Sequence, residues 1–422
     1  MQKVKLDMDD NWISDKDIIT SLVNLRQLTF EVTDVCNFKC RYCGYGDMYY
    51  GHDDRKGDNM PIEIGLQTID YLTNIWKSNV PFSHRPLTYI SFYGGEPLLN
   101  IKFIKELVAY IEKIDLNREF VFSMTTNAYL LDKYMDFLVK KNFHILISLD
   151  GDAKANSYRL DKLGKETFNA VTSNIKLLRT EYPDYFDRNV EFNSVLHNRN
   201  SVEGINSFIY DTFGKKPTVS ELNTSEIKIG MIDEFKRMYQ NKSESIRYSD
   251  NCERISEDVF LSDPLTYELM LYLHRHCNNV YMDYCDLLYG PNERPCLPTG
   301  TCIPFSKKMF VTVHGKILQC ERINHKYALG KVSESGVRLN CTEIADSFNK
   351  KLSSVSRQCR TCERKQSCMQ CVYYIEDIGD KPICKGYTDK ERFASYSSMC
   401  MEHLCAHPYL YAKLMNDIFI DG

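Results

Sequence analysis

Cys36, Cys40 and Cys43 stand at CxxxCxxC spacing directly after a strand-like segment at residues 28–32. Three thiolates so spaced can hold three irons of a cubane iron–sulfur cluster. The fourth iron then lacks a protein ligand and is open to a chelating small molecule. Zinc is served less well, because three thiolates need a fourth ligand and none lies nearby in sequence. The i, i+4, i+7 spacing would also place the three on one face of a helix.

A second set follows much later: Cys296, Cys302, Cys320, then Cys359, Cys362, Cys368, Cys371 and Cys384. Eight cysteines are the number that two cubane clusters need, but pairs at x2 spacing suit zinc equally. Spacing alone leaves both open. Gly315 within 313–316 predicts a left-handed turn between two strands. Of the 17 cysteines, Cys252, Cys277, Cys285, Cys341, Cys400 and Cys405 fall outside both sets and read as packing residues. His274, His276 and His314 show no partner pattern and are assigned nothing.

The elements that must position these thiols can be read from hydrophobic periodicity. Strand patterns at 28–32, 88–93, 119–124, 144–149 and 190–196 alternate with helical patterns at 61–77, 101–113, 131–141, 165–180 and 202–213. A sixth strand is expected at 226–229. Such alternation predicts an α/β chain built as a partial (β/α)6 barrel, whose chemistry belongs at the C-terminal ends of its strands. The expected organisation is an N-terminal extension over 1–27, the barrel over 28–230, a helical bridge over 231–295, a cysteine-rich domain over 296–385 in which long helices vanish, and a helical tail over 386–422. Hydrophobic residues make up 43% and charged residues 26%, as in a globular protein, and the net charge of -4 carries no polyanion-binding signature. The acidic start lacks a secretory pattern and no apolar run reaches the roughly 18 residues of a membrane span. The expectation is a cytoplasmic protein with neither nucleic acid nor membrane as partner.

The CxxxCxxC segment, with Tyr42 before its last cysteine, resembles the radical S-adenosylmethionine (SAM) superfamily. Gly94-Gly95-Glu96-Pro97 after the second strand is similar to that family's GGEP motif; Thr125-Thr126-Asn127 ends the third strand and Ser148-Leu149-Asp150-Gly151 the fourth. The resemblance implies that SAM binds the open iron. It implies that Tyr42, Gly94, Gly95, Glu96, Pro97, Ser148 and Asp150 surround SAM, that Arg159 meets its carboxylate and that Leu196 packs near the adenine. Tyr93, before the two glycines, departs from the polar amide of some relatives. The later cysteines resemble a SPASM domain with two auxiliary [4Fe–4S] clusters. By order, Cys296, Cys302, Cys320 and Cys371 would hold the first and Cys359, Cys362, Cys368 and Cys384 the second, although the last spacing is x2 where some relatives have x3.

The resemblance thus implies three [4Fe–4S] clusters and a peptide maturase that uses a 5′-deoxyadenosyl radical to take a hydrogen atom from a ribosomally synthesised precursor peptide and form a thioether, ether or carbon–carbon cross-link. Flavodoxin or ferredoxin would supply electrons. The 1–27 extension is too short for a winged leader-binding domain, so the barrel mouth, the 231–295 segment or a separate leader-binding protein is expected to recognise the leader. Glu321, next to Cys320, occupies the place of a proton-accepting Asp in the related anaerobic sulfatase-maturating enzymes and is the candidate general base; its alternative is an ion pair with Arg322 or another cation. Rival readings are formylglycine formation on a sulfatase, a zinc-stapled binding protein and a simple electron carrier. Anaerobically reconstituted protein should contain about twelve irons and as many sulfides, and replacing Cys36, Cys40 and Cys43 by Ala should remove about a third of the iron. Stoichiometric zinc with little sulfide, found by elemental analysis, would refute the cluster reading.

Overall fold

The computed structural model describes residues 12–84, 86–260, 297–378 and 381–417, together with 266, 268–270, 272 and 273. Six strands run parallel in the order in which they occur: β1 (Gln27–Thr33), β2 (Leu87–Gly94), β3 (Glu119–Thr126), β4 (His144–Ser148), β5 (Val190–Leu196) and β6 (Thr218–Glu221). Helix α1 (Asp15–Val23) precedes them. The connections carry α2 (Ile62–Ser78), α3 (Ile101–Ile111), α4 (Leu131–Lys140), α5 (Phe168–Glu181), α6 (Pro183–Asn189) and α7 (Val202–Phe213).

Local sequence explains these elements. In α3, Phe103, Ile104, Leu107, Val108 and Ile111 make one buried stripe at helical spacing. Helix α7 starts where the Ser201 hydroxyl accepts the Gly204 N–H, and stops at Gly214, whose φ of +71° is left-handed. Six of the seven β1 residues are buried, as befits an interior strand of a parallel sheet. Phe30, Phe92, Phe143 and Phe192 lie fully buried in the core.

The sixth strand is 218–221, not 226–229. Residues 226–228 instead pair with the segment after the first cysteine loop: Tyr50 N donates to Glu226 O (2.8 Å) and Lys228 N to Met48 O (2.9 Å). The sheet also continues on the other side of β1. There β7 (Lys308–Val311) lies parallel to β1, and β8 (Lys316–Leu318), β9 (Gly330–Ser333) and β10 (Gly336–Leu339) extend it as an antiparallel meander. The result is an open ten-stranded sheet.

The chain divides into two compact units. The sheet unit comprises 17–258 and 303–341. The other takes the described residues of 1–16, 259–302 and 342–422 and contains nearly all of the helix Cys341–Thr361, the hairpin β11 (Glu376–Ile378) with β12 (Lys381–Ile383), and helices Lys390–Ala406 and Pro408–Asp417. The 21-residue helix Cys341–Thr361 overturns the expectation that long helices vanish over 296–385. Its apolar stripe is narrow: Ile344, Phe348, Leu352 and Val355 are buried among many polar residues. Phe260, Leu269, Leu273, Cys400, Leu404 and Leu414 form an apolar cluster within this unit. Cys400 is thus a packing residue as expected, whereas Cys252 and Cys405 are exposed. Among the described residues no helix is long and apolar enough to cross a membrane.

The turn between β7 and β8 depends on Gly315. Its φ is +76°, Gly315 N donates to Thr312 O (2.8 Å), and a Cβ there would stand 2.2 Å from the carbonyl oxygen of Val332. Gly315→Ala should destabilise the protein by about 1–2 kcal/mol from the left-handed backbone alone, and by more once the Val332 carbonyl is displaced. An unchanged urea midpoint would show that the hairpin does not need glycine.

Candidate active site

The cysteine loop leaves β1 at Thr33 and is not helical. Cys43 N donates to Cys40 O (3.2 Å), and Gly46 N to Cys43 O (2.8 Å). The loop is strapped to the segment after β4, with Lys39 N donating to Leu160 O (2.7 Å) and Arg41 N to Tyr158 O (3.2 Å). Burial pushes the Cys36 thiol up to about 11 and that of Cys40 to about 12; Cys40 also feels Cys43 and Cys36. Unaided, these thiols stay protonated, and a bound cationic iron core would reverse that balance. Four sulfurs around one zinc stand about 3.8 Å apart, given Zn–S bonds of about 2.3 Å. Among the described residues, Asp34, Asp58 and His314 bring one ligand atom each within 4.8 Å of one another.

The GGEP segment is built against this loop. Gly95 N donates to Thr33 O and Glu96 N to Val35 O, both at 2.9 Å. A Cβ on Gly94 would stand 2.3 Å from Thr33 O, and one on Gly95 2.0 Å from Val35 O. The glycines therefore admit the backbone of the cysteine loop. Pro97 is buried at the start of the turn Pro97–Asn100. Glu96, 1% exposed, accepts from Thr126 Oγ1 (2.7 Å), Asn127 N (2.8 Å) and Leu98 N (3.2 Å). Burial raises its carboxyl to about 7 in spite of these three bonds. Glu96 was expected beside SAM; the structure turns it inward as the knot between the ends of β2 and β3.

Asp150, likewise expected at the cofactor, is fully buried as a second knot. Oδ2 pairs with Arg159 Nε (3.0 Å) and accepts from the Tyr42 hydroxyl; Oδ1 accepts from Val195 N (3.0 Å). Burial alone would raise its carboxyl, but the Arg159 cation, with His197 and Tyr42, outweighs it and holds it at about 2. Arg159, 7% exposed, is thus neutralised within the protein and also lies over the Tyr42 ring. His197, fully buried, stacks on Tyr42 and stands 3.7 Å from Asp150 Oδ2. Ser148 is half-buried at the end of β4, and Leu196 is fully buried at the end of β5. His197 follows Leu196 directly, and that position at a strand end is the sequence signal that could have found it.

A third group gathers at the ends of β1, β2 and β7 and was largely missed in the sequence. Glu31 accepts from Arg55 Nη1 (3.2 Å) and Val313 N (3.1 Å), and burial raises it to about 7. Arg55 covers the Tyr45 ring, whose centroid lies 6.1 Å from that of Tyr93. Tyr93 feels the charge of Glu321 and Cys43. Glu321 Oε2 is 2.8 Å from Lys308 Nζ and 3.7 Å from Cys320 Sγ. Burial works to raise its carboxyl, yet Lys308 keeps it below the usual range. Its main partner is Lys308; Arg322 is 3.9 Å away.

In the other unit, burial lifts the Cys359 thiol to about 12, reinforced by Cys368, Cys384 and Cys362. Cys384 feels Cys368 and Cys362 in turn. These are the four expected around one auxiliary cluster. Cys371 is near Cys302 and is linked to Thr301, whose hydroxyl also accepts from Val372 N (2.7 Å). Gly300 packs on the backbone of Cys368, where a Cβ would meet its carbonyl oxygen at 2.1 Å. Cys320 belongs to the sheet unit, and Cys296 lies outside the described residues.

Residues 30–207 match the Radical SAM superfamily. Over 327 residues the chain is 25% identical to a cysteine-type anaerobic sulfatase-maturating enzyme of Clostridium novyi, covering 74% of this chain and 77% of that one. Over 201 residues it is 25% identical to the radical SAM cyclopropyl synthase TigE of Paramaledivibacter caminithermalis, 47% of this chain and 40% of the relative. The solved structure of native anSMEcpe with bound AdoMet and Kp18Cys peptide shares the fold, with a TM-score of 0.62 at 19% identity over 94% of this chain and all of that one. With CxxxCxxC, the glycine pair and the Asp150 knot at successive ends of a parallel sheet, residues 30–207 of this chain carry a radical SAM domain.

Proposed function

We propose that the chain is a peptide maturase that takes a hydrogen atom from a residue of a ribosomally synthesised precursor peptide and forms an oxidative cross-link. The observation that carries this reading is the second thiol constellation, Cys359, Cys362, Cys368 and Cys384, gathered in a unit apart from the Cys36–Cys43 loop. Thiols additional to a SAM site suit a reaction that must also dispose of an electron. On this reading there are three [4Fe–4S] clusters, with Cys296, Cys302, Cys320 and Cys371 around the remaining one. When bound, SAM and its cluster supply a 5′-deoxyadenosyl radical, which removes hydrogens that no acid–base side chain can reach.

The chain's own residues orient and shield. Gly94, Gly95 and Pro97 hold the cysteine loop in place, and Glu96 anchors that packing. Asp150 fixes Tyr42 and Arg159; Ser148, Arg159 and Leu196 are proposed to meet SAM. Glu321 is the candidate acceptor of the substrate proton. Lys308 keeps it ionised and ready to accept, while lowering its basicity. Flavodoxin or ferredoxin is the proposed electron donor, and a separate protein is proposed to present the leader.

Formylglycine formation is the second reading, favoured by the length over which the sulfatase-maturating relative matches. Two features weigh against it: Glu321 stands where the sulfatase-maturating relatives have Asp, and Tyr93 stands before the glycines. The two readings separate by mass spectrometry of peptides encoded beside the gene after reaction with the anaerobic enzyme and SAM. A cross-link removes two hydrogens and leaves the joined residues together on fragmentation, whereas formylglycine is trapped by hydrazides. Deuterium from a labelled peptide should enter 5′-deoxyadenosine in either case. Cys359→Ala should retain SAM binding and lose product. Glu321→Gln should lower product formation by roughly 10²- to 10⁴-fold if it is the base; native turnover would leave it as an ion-pair partner of Lys308. Absence of deuterium transfer from every peptide and sulfatase sequence tried would overturn the proposal.

A further inference from the structure

We infer that Asn127 is a positioning residue that sets the reduction potential of the SAM-binding cluster through the sulfur of Cys36; this rests on Cys36, Cys40 and Cys43 being that cluster's ligands. Asn127 ends the third-strand motif and is 7% exposed. Every polar group of its side chain and its own N–H are engaged. The backbone N–H donates to Glu96 Oε2 (2.8 Å), and Oδ1 accepts from Tyr129 N (3.0 Å). Nδ2 donates to Asn37 Oδ1 (2.8 Å) and lies in hydrogen-bonding geometry 3.9 Å from Cys36 Sγ.

The amide cannot be turned over. Tyr129 N is a donor and needs the oxygen, so Nδ2 must face the sulfur. The backbone is bent to serve this. Ala128, fully buried, has a φ of +59°, a left-handed conformation that costs an alanine about 1–2 kcal/mol. It is held by Ala128 N donating to Thr126 Oγ1 (3.0 Å), whose hydroxyl in turn donates to Glu96 (2.7 Å). Strain kept by so many bonds marks a residue whose direction matters. Cys36 Sγ also accepts from Phe38 N (3.4 Å), a backbone bond that no side-chain substitution removes. Asn127 supplies a second donor that substitution does remove.

A donor to a cluster sulfur stabilises the more negative, reduced state and so raises the potential. Glu96 therefore acts on the cluster through Thr126 and Asn127.

The test uses full-length, anaerobically reconstituted protein. Iron is counted first; each variant is then titrated potentiometrically, following by EPR the signal that changes when SAM is added. Asn127→Ala should lower the reduced-to-oxidised ratio at fixed potential by about tenfold, equivalent to about 59 mV for one electron. Asn127→Asp keeps the shape, points an oxygen at the sulfur and should fall further. Asn127→Ser, which keeps a shorter donor, should lie between native and Ala. A merely structural role would lower iron loading without moving the potential of the cluster that remains. Native potentials in both the Ala and Asp variants would overturn the inference. So would loss of the cluster from all three variants, which would make Asn127 a requirement of the loop rather than a tuner. A native protein with no SAM-responsive signal would instead refute the ligand assignment, and the inference with it.

Discussion

At Gly94 and Gly95 the backbone of the second strand's exit lies directly against the backbone of Thr33 and Val35, with no room for a side-chain carbon on either glycine. The cysteine loop has no regular structure of its own, so its shape must be imposed by a rigid neighbour. The bonds from Gly95 N to Thr33 O and from Glu96 N to Val35 O impose it just ahead of Cys36. Asn100 Nδ2, bonded to Val32 O at 2.7 Å, extends the same grip back along β1. The loop that bears the three thiols is thereby fixed relative to the sheet.

Charge is handled by enclosure. Asp150 and Arg159 form a buried pair, which is costly to desolvate and becomes worthwhile only when every remaining lone pair and proton is used. Here Tyr42, Val195 N and His197 use them. Tyr42 lies between two cysteines of the loop, so the pair transmits the position of the fourth and fifth strand ends to the thiols. Glu96 does the same for the second and third strands with three neutral donors and no cation, and its carboxyl consequently sits near 7. One carboxyl is kept charged and the other is poised near neutrality, although both serve as knots.

Much of this was legible in the sequence because its causes are local. Helix 202–213 is announced by Ser201 and Gly214, and the parallel strands by short apolar runs ending in the cysteine, glycine and aspartate motifs. The order of those motifs along the chain also named most of the residues that meet near the loop. What could not be read depends on pairing across long separations. The strand at 308–311 beside β1, the Glu31 bond to Val313, the Arg55 cover over Tyr45 and the Asp53 pair with Lys316 (2.6 Å) have no spacing signature. Segment 226–229 failed as a strand because Met48 and Tyr50 claim its backbone, and helix Cys341–Thr361 was hidden by its polar composition. Glu96 and Asp150 stand out in the sequence as motif residues, and the structure gives both a role as buried joints between strand ends.

Pairing of β1 with β7 also governs how the chain comes into being. Strand β1 bears the cysteine loop and is among the first elements made, but one of its two ladders is completed only by Lys308–Val311. Until that stretch leaves the ribosome, β1 is a bare sheet edge carrying unpaired backbone donors and acceptors beside three reactive thiols. The cysteine loop thus hangs from a half-paired strand until Lys308–Val311 has been made.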